Sequence, residues 1–324
     1  MTAGSAAARV AVVDLVEPDR LRVAAEPALL YAQTRVELLA GFRELRRTAA
    51  LLRLLPDRWA HGLADHLAGP LADPLADPLA DPDGDVAAHD RTPEDEAALL
   101  AGVVDDLRSL EGRALRRILP DLGDAARHAG ARAVREELRH RSQRRSDPSL
   151  NPEAARLFSA VGRLAARSRR SPDALIALLL HSVALAPGEA ALMPTGMVHL
   201  PGTGRTLQVR APADADPAGL PAPVLDTPPG LSLMAELGVA PGPAPRLDPA
   251  VRTRDLLRYA PRDLAVELTI GLAEQVLDPS LATSPGGRQA TVVDLDDGPE
   301  PAPGAPARPA TDARPRRVAV VAPR

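Results

Sequence analysis

The chain has 324 residues, 45% of them hydrophobic, a formal net charge of −4 and no cysteine. That length can bury one or two substantial cores. The missing cysteines exclude disulfides, thiolate catalysis and cysteine-based metal sites, and the acidic balance argues against nucleic acid as an obligatory partner, since phosphate binding leans on a basic surface. All 39 basic residues are arginine, which removes Schiff-base and phosphate-loop lysine mechanisms. Aromatic residues make up 2%, namely Tyr31, Phe42, Trp59, Phe158 and Tyr259, so few rings are on offer to stack against a sugar. No run reaches the roughly 18 apolar residues of a membrane helix, and the start MTAGSAAARVAVVDL lacks a basic segment followed by an apolar one. A cytoplasmic protein without a membrane partner is the expectation.

In chain order, Arg9 to Leu15 (RVAVVDL) reads as a short strand. From residue 35 the pattern predicts a helix to Leu55, with Leu38, Leu39, Phe42, Leu45, Leu51, Leu52 and Leu55 as its stripe, Thr34 as N-cap and Pro56 as stop. Residues 70–82 (PLADPLADPLADP) repeat proline at every fourth position, which deletes helix hydrogen bonds and predicts an extended or turn-rich linker. The Asp81 to Asp85 loop lacks the EF-hand pattern and is read as solvated. Thr92-Pro93-Glu94-Asp95 carries the marks of a helix start: a cap, proline at the first position and acids in the first turn. Helix continues with breaks to a basic block at 125–147, read as a solvated helix end because no aromatic is interleaved for base stacking. Asn151-Pro152-Glu153 opens a helix over Ala154 to Arg167.

The most informative stretch is residues 173–209. Leu175, Leu178 and Leu179 share a helix face, after which the period switches from 3.6 to 2 near His181. Pro187-Gly188 supplies a turn, Ala190 to Met193 a second apolar run, and Val198-His199 the end of a strand. His181 reads as a strand start, Glu189 as a turn residue, and His61 and His66 as surface residues. After 210 the signal fades. Proline and glycine crowd 212–249, a short helix is predicted around Leu231 to Leu237, and Val251 to Leu277 reads as one helix broken at Pro261, or a helix then a strand. The tail from Pro299 cannot bury enough apolar surface to order itself. Arg316 to Val321 would add an edge strand or nothing.

LLLHSVALAPGEAALMPTGMVHLPGTG resembles a segment of the type I phosphomannose isomerases, cupin-superfamily enzymes, and PALLYAQTRVELLAGFR (Pro27 to Arg43) resembles that family's HKPE segment, in the same order. The resemblance implies a cupin-like barrel that delivers one imidazole to a metal in its mouth. It also implies interconversion of mannose 6-phosphate and fructose 6-phosphate, with zinc polarising the sugar while a proton moves through an enediol. In the family a Gln and a His of an early strand, the Glu of HKPE and the hairpin His hold the zinc. Carried over, only His199 remains: Ala28 stands at the Glu, Ala25-Glu26 at the His-Lys pair, Gln208 at a downstream Glu, and the residues before Pro27 contain no QxH.

The resulting expectation is an α+β fold, with a partial cupin-like β-barrel or hairpin core, a large Ala/Leu-rich helical insertion and a disordered Pro-rich C-terminal tail. Its divisions are 1–34 (N-terminal remnant of the cupin core), 35–172 (helical), 173–230 (cupin-like hairpin segment), 231–298 (poorly defined) and 299–324 (tail). His199 is the one candidate metal ligand, and zinc, the family's cofactor, is not expected to be retained, because a catalytic zinc needs three protein ligands. The function implied is mannose-6-phosphate isomerase-like but inactive, a pseudoenzyme. The alternatives are a non-catalytic cupin-like binding or regulatory protein, a decaying gene product, or a chain whose missing ligands come from a partner. The small-molecule partner implied is a sugar phosphate.

Overall fold

The computed structural model describes residues 9–15, 20–68, 91–110, 112–142, 151–168, 171–210, 240–253, 255–262, 264, 266–276, 290–295 and 317–323. The repeat at 70–82, the helix expected at Leu231 to Leu237 and most of the C-terminal tail lie outside them. Eight strands form a nearly closed antiparallel barrel-like sheet: β1 (Arg9–Leu15), β2 (Arg22–Val23), β3 (Ala28–Ala32), β4 (Val36–Phe42), β5 (Leu180–Leu185), β6 (Ala190–Met193), β7 (Val198–Arg210) and β8 (Arg246–Leu247). Between β4 and β5 the chain inserts helices α1 (Leu45–Leu52), α2 (Arg58–Ala68), α3 (Pro93–Ser109), α4 (Arg113–Ser142), α5 (Asn151–Arg167) and α6 (Asp173–Ala177). After β8 come β9 (Val251–Arg252), β10 (Leu256–Tyr259), β11 (Val266–Leu272), the short α7 (Ala273–Val276), β12 (Thr291–Asp294) and β13 (Arg317–Pro323). These last strands form a second sheet in the order β12-β13-β11-β10-β9. The expected cupin-like α+β fold with a helical insertion is what the chain adopts.

The organising element is β7. Its first half pairs with β4 and β2, its second half with β3 and β1. A strand that serves two sets of neighbours must bend, and the bend falls at Pro201-Gly202-Thr203-Gly204. A Cβ on Gly202 would run into the Glu37 carbonyl oxygen, and one on Gly204, at φ +122°, would lie 2.5 Å from the Arg35 carbonyl oxygen. Only glycine lets β4 approach that closely.

Residues 36–42 are a strand, not the start of a helix, and helix begins only at Leu45. Both faces of β4 are covered: Val36, Leu38 and Ala40 point into the barrel, Leu39 and Phe42 into the core under the helices. A strand buried on both sides shows no polar alternation, so its apolar run imitates a helical stripe. Gly41, at φ +69°, marks the register shift against β5 that ends it. Thr34 is no helix cap; its hydroxyl accepts the Arg205 backbone N–H at 2.9 Å and ties the β3–β4 turn to β7.

The segment Val251 to Leu277 forms three strands and a short helix instead of a helix broken at Pro261. Val266, Leu268 and Ile270 alternate into the core that joins the second sheet to Leu29, Tyr31, Leu207 and Val209 of the barrel. Within the presumed tail, Arg317–Pro323 is an inner strand, paired to β11 on one side and β12 on the other. Tertiary pairing thus supplies what local propensity does not. Other expectations hold: Thr92 caps α3 in a capping box with Asp95, and Gly112, at φ +50°, separates α3 from α4. His61 and His66 are exposed.

The insertion is fastened to the barrel at Arg43, directly after β4. Its side chain is fully buried, donating from Nη1 to the Leu178 carbonyl at 3.3 Å, from Nη2 to the Leu180 carbonyl and from Nε to Glu153 Oε1 of α5 at 3.1 Å. Burial lowers its pKa to about 10, while the Glu153 carboxylate opposes that shift, so the group stays charged at neutral pH.

Candidate functional site

The hairpin read from the sequence is present. Gly188 takes φ +92° between β5 and β6, and Glu189 accepts the Ala186 N–H at 2.8 Å, a turn role. His181 is buried on β5 with Nε2 2.7 Å from the Gly242 carbonyl oxygen, and burial lowers its pKa. It is a satisfied core histidine, as its place at the start of a strand suggests.

His199 sits on β7 opposite Arg22 of β2 and Ala40 of β4. Directly opposed residues in an antiparallel pair point to the same face, and Ala40 belongs to the cluster that fills the barrel. His199 and Arg22 therefore face the interior. Further along β7, Arg210 lies opposite Ala28 of β3, which belongs to the same cluster, and Gln208 lies opposite Leu30. By the same ladders His199, Arg22, Arg210 and Gln208, together with Thr206 opposite Ala32 and His181 opposite Ala40, share a face with Ala28, Leu30, Leu38, Ala40, Ala191 and Met193.

The His199 ring places Nδ1 3.2 Å from the Met197 carbonyl oxygen, so Nδ1 carries the proton of the neutral ring and Nε2 is left as an acceptor. Desolvation lowers its pKa from 6.5 to about 4; the Met197 hydrogen bond works against this, and the charges of Arg22 and Arg210 add to it. At neutral pH the imidazole is uncharged. Arg210 donates from Nη1 to Glu26 Oε1 at 3.1 Å and from Nη2 to Gln208 Oε1 at 3.4 Å. Arg22 differs: its Nε is buried without a hydrogen-bond partner.

This donor set does not fit zinc. Ala28, at the position matching the family's Glu ligand, has no donor atom, and the residue facing it across the ladder is the cation Arg210. Among the described residues no group of three or more His, Cys, Asp or Glu is placed to hold a metal ion. Two guanidiniums flanking one neutral ring repel a divalent cation and attract an anion. Neither arginine was singled out as a site residue from the sequence, although a signal exists. Arg20-Leu21-Arg22-Val23 and Gln208-Val209-Arg210 alternate with period two, and in strands covered on both sides the polar row has to face an interior.

Elsewhere, an open groove of about 740 Å³ runs between α4 and α5, lined in part by Gly123, Gly130 and Gly162. Its Arg127 is taken up by Asp124 and the Gly123 carbonyl.

The barrel-like sheet with its helical insertion is a cupin-like fold. No family model and no curated protein sequence matches the chain. Solved structures do, among them phosphomannose isomerases. The apo form of mannose 6-phosphate isomerase from Salmonella typhimurium matches at TM-score 0.51 and 17% identity, over 90% of this chain and 67% of that one. A mannose 6-phosphate isomerase bound with zinc and yttrium matches at TM-score 0.50 and 18% identity, again over 90% and 67%. The Salmonella typhimurium enzyme bound to fructose 6-phosphate and zinc gives TM-score 0.48 at 18% identity, over 88% and 64%. The chain shares the fold of the apo form and of the form bound with zinc and yttrium, and spans about two thirds of their length. No helix among the described residues is long and apolar enough to cross a membrane.

Proposed function

We propose that this chain is a non-catalytic cupin-fold protein, built on the phosphomannose isomerase scaffold, that binds a small molecule without isomerising it. The observation that carries the reading is Ala28 facing Arg210 where the resemblance calls for a zinc-binding carboxylate. Aldose–ketose interconversion through an enediol needs an electrophile on the sugar oxygens, and one neutral imidazole flanked by two cations leaves a divalent ion mostly to water. The chain's own groups favour binding instead: a half-buried neutral ring, two guanidiniums and an apolar wall suit a small polar ligand with negative charge, a sugar phosphate among them.

A coupled assay of mannose 6-phosphate to fructose 6-phosphate conversion, run on the purified full chain with zinc added, tests this. The rate should equal the protein-free blank and be unchanged in His199→Ala. Zinc-dependent turnover abolished by His199→Ala would show the chain to be an isomerase.

A further inference from the structure

Resting on the reading that the barrel binds rather than isomerises, we propose that its interior is an oxyanion site, with the Arg22 guanidinium as principal donor and Arg210 beside it. The ligand class is a phosphate or carboxylate group.

Three observations converge. First, Arg22 faces the barrel interior opposite His199, and its Nε is buried with no hydrogen-bond partner. Buried polar groups in native proteins are almost always satisfied, and one that is not calls for a ligand, water or ion. A guanidinium has five N–H donors in a fixed fork that matches an oxyanion edge-on. Second, Arg210 is held in place by Glu26 and Gln208, of which only Glu26 carries a charge. Two guanidiniums against the single Glu26 carboxylate leave these groups with one net positive charge, because the His199 ring is neutral. Third, the walls around these groups are largely apolar, Ala28, Leu30, Ala40 and Met193 lying on the same face, and the other polar groups there are already taken, His181 by the Gly242 carbonyl and Thr206 by the Val13 carbonyl. Low-polarity walls weaken screening and strengthen a charge-assisted hydrogen bond formed there. The His199 Nε2, an acceptor, adds a place for a ligand hydroxyl.

Glu26 provides an unusually direct discriminator. In a cation site a carboxylate strengthens binding; in this site it competes with the ligand for Arg210. The sign of its removal therefore reports the charge of what the barrel takes up.

The experiment is isothermal titration calorimetry of the full chain at neutral pH and low salt with three probes: inorganic phosphate, mannose 6-phosphate and acetate. At least one should bind saturably at one site. Phosphate alone points to the free ion, mannose 6-phosphate well above phosphate to a phosphorylated sugar, and acetate to a carboxylate ligand, each in support of the proposal. Arg22→Gln should weaken the bound probe about tenfold or more, with its fold checked by circular dichroism. Glu26→Gln should tighten the same probe several-fold. Absence of binding by all three probes, an Arg22→Gln affinity equal to the parent, or weakening by Glu26→Gln would overturn the oxyanion site. Zinc-dependent turnover would instead sink the non-catalytic reading, so the two failures are distinguishable.

Discussion

Arg43, just past the end of β4, and Arg22, on β2 of the barrel-like sheet, meet opposite fates. At the β4–α1 junction, Arg43 is sealed from water and every N–H direction in use finds a partner: two carbonyls of the segment leading into β5 and the carboxylate of α5. In the barrel interior, Arg22 faces a neutral histidine and its Nε finds none. A buried guanidinium with a full set of partners is a fastening, because its removal leaves buried carbonyls without a donor, although Glu153 keeps its pair with Arg47. Arg22 is half-buried and its Nε is free to serve the ligand proposed above.

That contrast can be broken most forcefully at Arg43. Arg43→Met leaves the Leu178 and Leu180 carbonyls without this donor and separates Glu153 from the barrel. It should cost about 3–5 kcal/mol, read as a fall in the urea midpoint with an unchanged slope. A cost under about 1 kcal/mol would mean that the insertion is held by packing alone.

A smaller effect separates the barrel interior by pH. The folded His199 titrates at about 4 and the unfolded one at its ordinary 6.5. Between those values the unfolded chain binds the extra proton, so stability is fully present above pH 6.5 and is lost as pH falls toward 4. The slope is at most about 1.4 kcal/mol per pH unit. His199→Gln should flatten that limb in parallel urea titrations at stepped pH; an unaltered limb would place the acid sensitivity elsewhere. Smallest of all, Arg22→Gln without ligand should shift stability by under about 1 kcal/mol, because no partner is orphaned. A loss as large as that of Arg43→Met would erase the distinction between the two arginines.

What could be read from the chain followed its punctuation. His199, expected to end a strand, instead stands second in the long β7, whereas Pro187-Gly188-Glu189 announces the β5–β6 turn and Thr92 with Asp95 announces α3. Each of these is a local arrangement in which neighbouring residues satisfy one another. What could not be read depends on distant partners. β4 is buried on both faces by β5, β7 and the helices, so its period is lost. β13 is stabilised by β11 and β12 across long stretches of chain, and nothing in Arg-Val-Ala-Val-Val announces an inner strand. The candidate site was half visible for the same reason. A histidine just after a Pro-Thr-Gly turn is a local mark, whereas Arg22 reaches it only through the β2–β7 ladder.

The central claim concerns the charge that the barrel accepts. Metal analysis of the full chain after equilibration with zinc and dialysis tests it most directly. The account predicts a zinc content far below one equivalent, the same in His199→Ala as in the parent. Close to one zinc per chain, lost when His199 is replaced, would contradict it.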